Sequence, residues 1–232
     1  MANDVLKLDI QTAVAKLIKS LGKTAGKLTG GVVTLDVDSS GIRLLEIRRG
    51  MVRRWASVSF DSGKDEGETA SPQQALGAEI RQLMASSGIK ARKVIASISG
   101  LYSVNRLLPT SSLPLGITTQ EAVQEVAKEI MPLSEDRIYL SWQTVTVNEE
   151  ESQVIILGVP REAVDNEIRA LKLAGVNPRV LELRTIALAR AVGREQALIL
   201  NIEPSSFDIV IIVNGLPEIM RTIAWQQEEL TE

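Results

Sequence analysis

At 232 residues and 44% hydrophobic content the chain can bury one large core or two small ones, which excludes global disorder. It contains no Cys and no His, so disulfides, thiol nucleophiles, imidazole bases and Cys or His metal sites are excluded, and any metal site would use oxygen ligands, as magnesium or calcium does. A net charge of −3 and an aromatic content of 3% argue against a nucleic-acid partner, and no apolar run reaches the roughly 20 residues that span a bilayer, so a soluble cytoplasmic protein is expected.

The first segment, from residue 3 to about 21, has helical spacing, with Leu6, Ile10, Val14, Leu17 and Leu21 on one face and Lys7, Lys16 and Lys19 among the polar positions. It reads as an amphipathic extension, either docking on a surface or packed on its own body. After the LTGG stretch come two strands, Val32–Asp36 and Ile42–Ile47, and a third over Met51–Phe60. Together they form a meander with short turns. The polar stretch 61–72 is a loop, and a helix is expected over 73–87 with Leu76, Ile80, Leu83 and Met84 on its buried side.

Strands follow at 94–99 and 103–108, then a helix over 119–130 that Thr118 and Glu121 could open as a capping box and that Pro132 stops. Alternation over 138–147 and a partner over 153–159, joined by the charged NEEES turn, complete a β-β-α-β-β unit. A helix over 161–174, a strand over 179–183 and a short helix over 185–192 lead into a last strand at 197–202.

The stretch TLDVDSSGIRLLEIRRG (34–50) aligns without a gap to ILNIEPSSFDIVIIVNG (199–215), at an offset of 165 residues. Leu35 pairs with Leu200, Asp36 with Asn201, Asp38 with Glu203, Ser40 with Ser205 and Gly50 with Gly215. A repeat of this length implies a duplicated domain rather than a solenoid.

On these residues the chain resembles the PilM family of actin-like type IV pilus assembly proteins, and more distantly the cell-division protein FtsA. The resemblance covers roughly 32–232. It is carried by VTLDVDSSGIRLLEI and ALILNIEPSSFDIVIIVNGLPEIMRTI as two phosphate hairpins, by KVIASISGLYSVNRLLPTSSLP and AVQEVAKEIMPLSEDRIYLSWQTV as an inserted subdomain, and by VIILGVPREAVDNEIRALKLAGVNPRVLEL as the return into the first domain. It implies an α/β, actin-like (ribonuclease H-like) fold. The expected organisation is an N-terminal extension over 1–31, a first actin-like domain over 32–93 plus 160–195, an inserted small α+β subdomain over 94–159, and the first strands of a second actin-like domain over 196–232. The final WQQEELTE reads as the start of a helix that is cut off, so a fragment of a longer protein is expected.

In the family such paired hairpins hold ATP and magnesium. Carried over by position, the cofactor-facing residues would be Asp36, Ser39, Ser40 and Arg43 in the first turn and Asn201, Ser205 and Ser206 in the second, with Asp36 meeting magnesium through water. Asp38 and Glu203 stand where the family has glycines that let backbone N–H groups approach phosphate. Each adds bulk and a negative charge. At about 5 Å and an effective dielectric of about 20, one like-charge pair costs roughly 3 kcal/mol, against about 8 kcal/mol for micromolar affinity. Pro204 removes one N–H donor. Alternatively, the carboxylates point away or bind magnesium directly, and Arg43 still meets a phosphate oxygen.

The expected function is therefore a cytoplasmic scaffold of pilus assembly with a degraded nucleotide site and no catalytic residue. The resemblance implies a PilN-like cytoplasmic tail as partner, with self-association a further option and membrane contact peripheral, through that partner. A Mg-ATP-binding actin-like ATPase, or an assembly protein of cell division or type II secretion, are the alternatives. The basic stretch IRRGMVRRW reads as a solvated edge or as a contact for acidic lipids.

Overall fold

In the computed structural model the described residues are 31–38, 40–60, 71–101, 103–116, 119–130, 135–146 and 152–225. The readings made above on the N-terminal segment, Ser39, Thr118, Pro132, residues 148–151 of the NEEES turn and the segment after Trp225 lie outside them.

The first meander comprises β1 (Val32–Asp38), β2 (Gly41–Arg48) and β3 (Met51–Ser59), all antiparallel. Val33 and Leu35 of β1 and Ile42 and Leu44 of β2 point to one face and are buried. Helix α1 (Pro72–Ser87) covers that face with Ile80, Leu83 and Met84. Its start is over-specified: the Ser71 side chain accepts from the Gln74 N–H, the Gln74 side chain accepts from the Ser71 N–H, and Pro72 opens the first turn. Gly88 closes it at φ 67°, a left-handed cap that glycine adopts without steric cost.

Strand β4 (Lys93–Ile98) pairs parallel to β1 on one side and to β8 (Asn177–Leu183) on the other, giving the order β3-β2-β1-β4-β8. The sequence reading grouped this strand with the inserted α+β unit. Its hydrogen bonds instead place it inside the large sheet, where Val94 and Ala96 join the core under α1. The smaller sheet is β5 (Val104–Pro109), β6 (Ile138–Thr146) and β7 (Ser152–Pro160), in the order β5-β7-β6. Helix α2 (Thr119–Ile130) packs on it through Ala122, Val123 and Ala127 against Val154 and Ile156.

Helix α3 (Arg161–Leu173) returns the chain to the large sheet and lies beside α1. The approach is close. A Cβ on Gly77 would sit 2.8 Å from the Leu173 Cβ and 2.9 Å from the Ala170 carbonyl oxygen, so a side chain there would force the helices apart. Helix α4 (Arg184–Val192) follows β8 directly. A further core joins Ile98, Leu183, Ile186 and Ala189 to Val210, Ile212 and Met220 of the last sheet, so α4 is the wedge between the large sheet and the second meander.

That second meander is β9 (Ala197–Ile202), β10 (Ser206–Val213) and β11 (Leu216–Ala224). It repeats the first in backbone detail. Ile47 faces Val52 and Glu46 faces Arg54, with a bulge between; 165 residues on, Ile212 faces Pro217 and Ile211 faces Ile219, with a bulge at the same place. The turns match as well, Arg49–Gly50 at φ 52° and 73° and Asn214–Gly215 at φ 51° and 75°. Two central residues at positive φ make these tight hairpin turns, which favour Asn-Gly and tolerate Arg poorly.

Candidate functional site

Register alone assembles the first half of the site. Asp36 on β1 is directly opposite Arg43 on β2 and beside Ser97 on β4, so the three side chains stand in a row on the sheet face away from α1. The Arg43 guanidinium donates from Nη1 to Asp36 Oδ2 at 3.0 Å and to Asp38 Oδ2 at 2.5 Å. The Ser97 hydroxyl donates to Asp36 Oδ1.

Asp38 folds back into its own turn. Its Oδ1 accepts from the Ser40 N–H at 2.6 Å, the Ser40 hydroxyl at 2.5 Å and the Gly41 N–H at 3.0 Å. The backbone donors that a phosphate turn offers to a ligand are thus taken by a carboxylate of the same turn, an Asx-type arrangement. Burial alone would raise the Asp38 carboxyl, but hydrogen bonds from Ser40 and Arg43 and the nearby Arg184 charge outweigh it and hold it below its ordinary value. The remaining glycine, Gly41, serves strand packing: a Cβ there would fall 2.1 Å from the Val58 carbonyl oxygen.

Arg43 also reaches the other half. Its Nη2 donates to Glu203 Oε2 at 2.8 Å and to the Ser40 hydroxyl at 3.2 Å. One guanidinium therefore joins the two turns across 160 residues of sequence. A second, Arg184, rises from the first residue of α4: Nε donates to Asp36 Oδ1 at 3.0 Å, Nη2 to the Val37 carbonyl at 3.1 Å, and Asp38 Oδ2 lies 3.4 Å away. Arg184 is buried, whereas Arg43 is partly exposed. Burial works against the Arg43 charge, but the three carboxylates around it more than compensate and raise its affinity for the proton. The two arginines thus offset part, but not all, of the negative charge of Asp36, Asp38 and Glu203.

In the second turn the Glu203 N–H donates to the Ser206 carbonyl at 2.8 Å. Trp225 clamps it, its backbone N–H on the Ser205 carbonyl at 2.9 Å and its indole N–H on the Pro204 carbonyl at 2.8 Å, with the ring 5.6 Å from Phe207. Asn201 donates to Asp208 Oδ2 at 3.0 Å, and Thr222 donates to Asp208 Oδ1 at 2.6 Å. Asn201, Asp208 and Thr222 form a row across β9, β10 and β11, the counterpart of Asp36, Arg43 and Ser57 across β1, β2 and β3. The second meander therefore keeps a buried acid, but one strand over.

The structure brings together Asp36, Asp38, Ser40, Arg43 and Glu203, with Asn201 at the edge through a 3.4 Å contact to Glu203. The Ser205 and Ser206 backbone carbonyls are engaged within the second turn, and Ser39 lies outside the described residues. Arg184, Ser97, Asp208 and Thr222 were missed by the sequence reading. A charged residue at the end of the apolar run VLELR was the available signal for Arg184, since an arginine there is buried only if paired. Glu167 on α3 is a further member. Its Oε1 is buried with no hydrogen-bond partner among the described residues, and burial, helped by the Asp36 charge, pushes its carboxyl up to about 7.

For ATP and magnesium the fit is poor at both turns. The first offers its N–H groups to Asp38, and the second presents Glu203 and a proline. Asp36 is engaged by two arginines and a serine. Among the described residues no cluster of three or more Asp or Glu is placed to hold a metal ion.

With this geometry in view, comparison with solved structures gives a clear result. The chain superimposes on the PilM-PilN type IV pilus biogenesis complex with a TM-score of 0.68 and 23% identity, over 83% of this chain and 61% of that one. The chain has an actin-like fold, built as PilM is built. It spans about three fifths of that neighbour's length. The cytoplasmic domain of EpsL, from the type II secretion system of Vibrio cholerae, gives a TM-score of 0.48 at 13% identity, over 84% of this chain and 70% of that one. EutJ from Carboxydothermus hydrogenoformans gives 0.46 at 14%, over 93% and 60%. Only the first carries the fold assignment. No family model matches the chain, and no curated protein matches it by sequence. No helix among the described residues is long and apolar enough to cross a membrane.

Proposed function

We propose that this chain is an actin-fold scaffold of pilus assembly whose phosphate turns are locked to each other by ion pairs in place of a nucleotide. The observation that carries the reading is Arg43, which binds Asp36 and Asp38 of one turn and Glu203 of the other. In an actin-like fold this is where a nucleotide would hold two halves together. A nucleotide phosphate would have to displace Asp38 from the Ser40 and Gly41 N–H groups and separate Arg43 from Glu203, while adding its own negative charge to three carboxylates. The likeness to PilM in a complex named for PilM and PilN supports a PilN-like cytoplasmic tail as partner, and with it a position at the inner face of the plasma membrane. A scaffold of this kind needs a fixed cleft rather than a turnover cycle, which internal ion pairs provide.

The partner reading is tested by titrating the full chain with a synthetic tail peptide from a PilN-like protein of the same genome, without nucleotide. Saturable binding at micromolar peptide, unchanged by added Mg-ATP, is the expected result. Binding that requires Mg-ATP would contradict the locked cleft, and none under either condition would remove the partner.

A further inference from the structure

The end of the large sheet opposite the ion network carries a concentration of positive charge that the network does not use. The β2–β3 turn and the start of β4 share this end, because Val32 faces Ile47, Arg48 faces Met51, and β4 runs parallel to β1 with Ile95 beside Thr34. Arg54 donates to the Gly88 carbonyl at 3.0 Å and ties the hairpin to the end of α1. The buried Glu46 carboxylate holds Arg48 at 2.7 Å and Arg54 at 3.2 Å. Arg49, Arg53, Lys90, Arg92 and Lys93 are exposed and form no ion pair among the described residues. Lys90 and Arg92, with Arg81, line a hollow of about 330 Å³.

Apolar side chains stand among these cations. The bulge at Arg53 brings Val52 opposite Ile47 and Trp55 opposite Leu45, so both lie on the open face of the sheet. Met51, Val52 and Trp55 are 54%, 56% and 73% exposed. Arg49 occupies a left-handed turn position that the second meander gives to Asn214, so a cation is held at the hairpin tip against backbone preference.

We propose that this end of the sheet docks on an anionic phospholipid bilayer. The cations meet headgroups while Met51, Val52 and Trp55 settle at the headgroup–acyl boundary, where a tryptophan ring has both an apolar body and a polar edge to satisfy. Nucleic acid would match the charge but not the exposed methionine and valine. The β1–β2 turn lies at the far end of the same strands and Arg43 pairs with Glu203, so a docked molecule presents both away from the bilayer. The inference is independent of the scaffold reading, because it uses none of the residues of the ion network, although Trp55, midway along β3, lines a hollow with Asp36 and Arg43.

Co-sedimentation of the full chain with vesicles tests this. With phosphatidylcholine containing 30 mol% phosphatidylglycerol, binding is expected that is absent on pure phosphatidylcholine and released by 0.5 M NaCl. Arg49→Glu with Arg53→Glu, and separately Lys90→Glu with Lys93→Glu, should each weaken it by roughly thirtyfold or more. Trp55→Ala should weaken it with the charge intact. Deleting residues 1–30 should leave binding that is still sensitive to the hairpin pair. Circular dichroism melting of each variant separates a lost surface from a lost fold. The proposal is overturned if anionic vesicles retain nothing, if both charge pairs leave binding unchanged in folded protein, if the 1–30 deletion alone abolishes it, or if a 20-bp DNA duplex is bound more tightly than the vesicles.

Discussion

Replacing Arg184 with methionine perturbs the ion network at its buried member. Arg184 is 7% exposed and touches two carboxylates, at 3.0 Å and 3.4 Å; Asp38, one of the two, is 4% exposed. Methionine preserves most of the side-chain volume but leaves Asp38 with Arg43 as its one cationic partner among the described residues. Removing one partner of a buried ion pair costs about 3–5 kcal/mol when the charge left behind is uncompensated, and because Asp38 keeps Arg43 and the Ser40 and Gly41 donors, about 2–3 kcal/mol is expected. Arg43→Met removes more contacts, but the Arg43 guanidinium is itself 43% exposed, so its ion pairs are partly screened even though Asp38 and Glu203 are 4% and 13% exposed, and about 1–2 kcal/mol is expected. Equilibrium urea unfolding at pH 7, with the slope held common, measures both. The two variants should also differ with pH. Asp38 is held below its ordinary value, so its contribution to stability is present above about pH 4 and is lost as pH falls through its lowered native value. In the Arg184→Met protein part of the deficit should disappear toward pH 4, because protonation relieves the less fully compensated carboxylate. A loss below 1 kcal/mol, or a smaller loss than for Arg43→Met, would refute the view that Arg184 neutralises the buried acids.

Other outcomes follow from single residues. Glu167 takes up its proton at about 7 rather than near 4.5, so the native state binds more protons than the unfolded chain between those values and stability falls as pH rises through that window, by roughly 3 kcal/mol in all. Glu167→Gln should flatten this fall, measured by urea unfolding at pH 5 and pH 8; an unchanged slope would reject the assignment. Arg49→Asn should raise stability by about 0.5–1 kcal/mol by removing the left-handed arginine, and a decrease would contradict the turn argument. Gly77→Ala should destabilise by about 1–3 kcal/mol despite the better helix propensity of alanine, because its Cβ would collide with α3; a rise in the melting temperature would show that the helices are not in contact there.

Much of the fold was legible because its signals are local. The spacing of Ile80, Leu83 and Met84 gives α1, and the breaks at glycine and proline give most element ends. The gapless match at offset 165 was legible as well, and the structure extends it to the third strands, the bulges and the positive-φ turns. The place of β4 was not legible, because its partners β1 and β8 lie about 60 and 80 residues away in either direction and parallel pairing leaves no turn signature between them. The site was half legible. Asp36, Asp38, Arg43 and Glu203 could be picked out by position, but not that the arginine spans both turns. The same alignment pairs Arg43 with Asp208, so the acid that moved one strand over was within reach. Comparing position 36 with 201 alone sets an aspartate against an asparagine and misses that acid. Arg184 depends on where α4 is wedged, and that is set by packing among Ile98, Ile186 and Val210.

Isothermal titration calorimetry of the full chain with Mg-ATP addresses the locked cleft most directly, run beside an Asp38→Gly, Glu203→Gly double variant. The account predicts no saturable heat for the natural sequence up to millimolar nucleotide, and a gain of binding in the double variant once the turn N–H groups are freed and the bridge to Arg43 is broken. Micromolar binding by the natural sequence would contradict it.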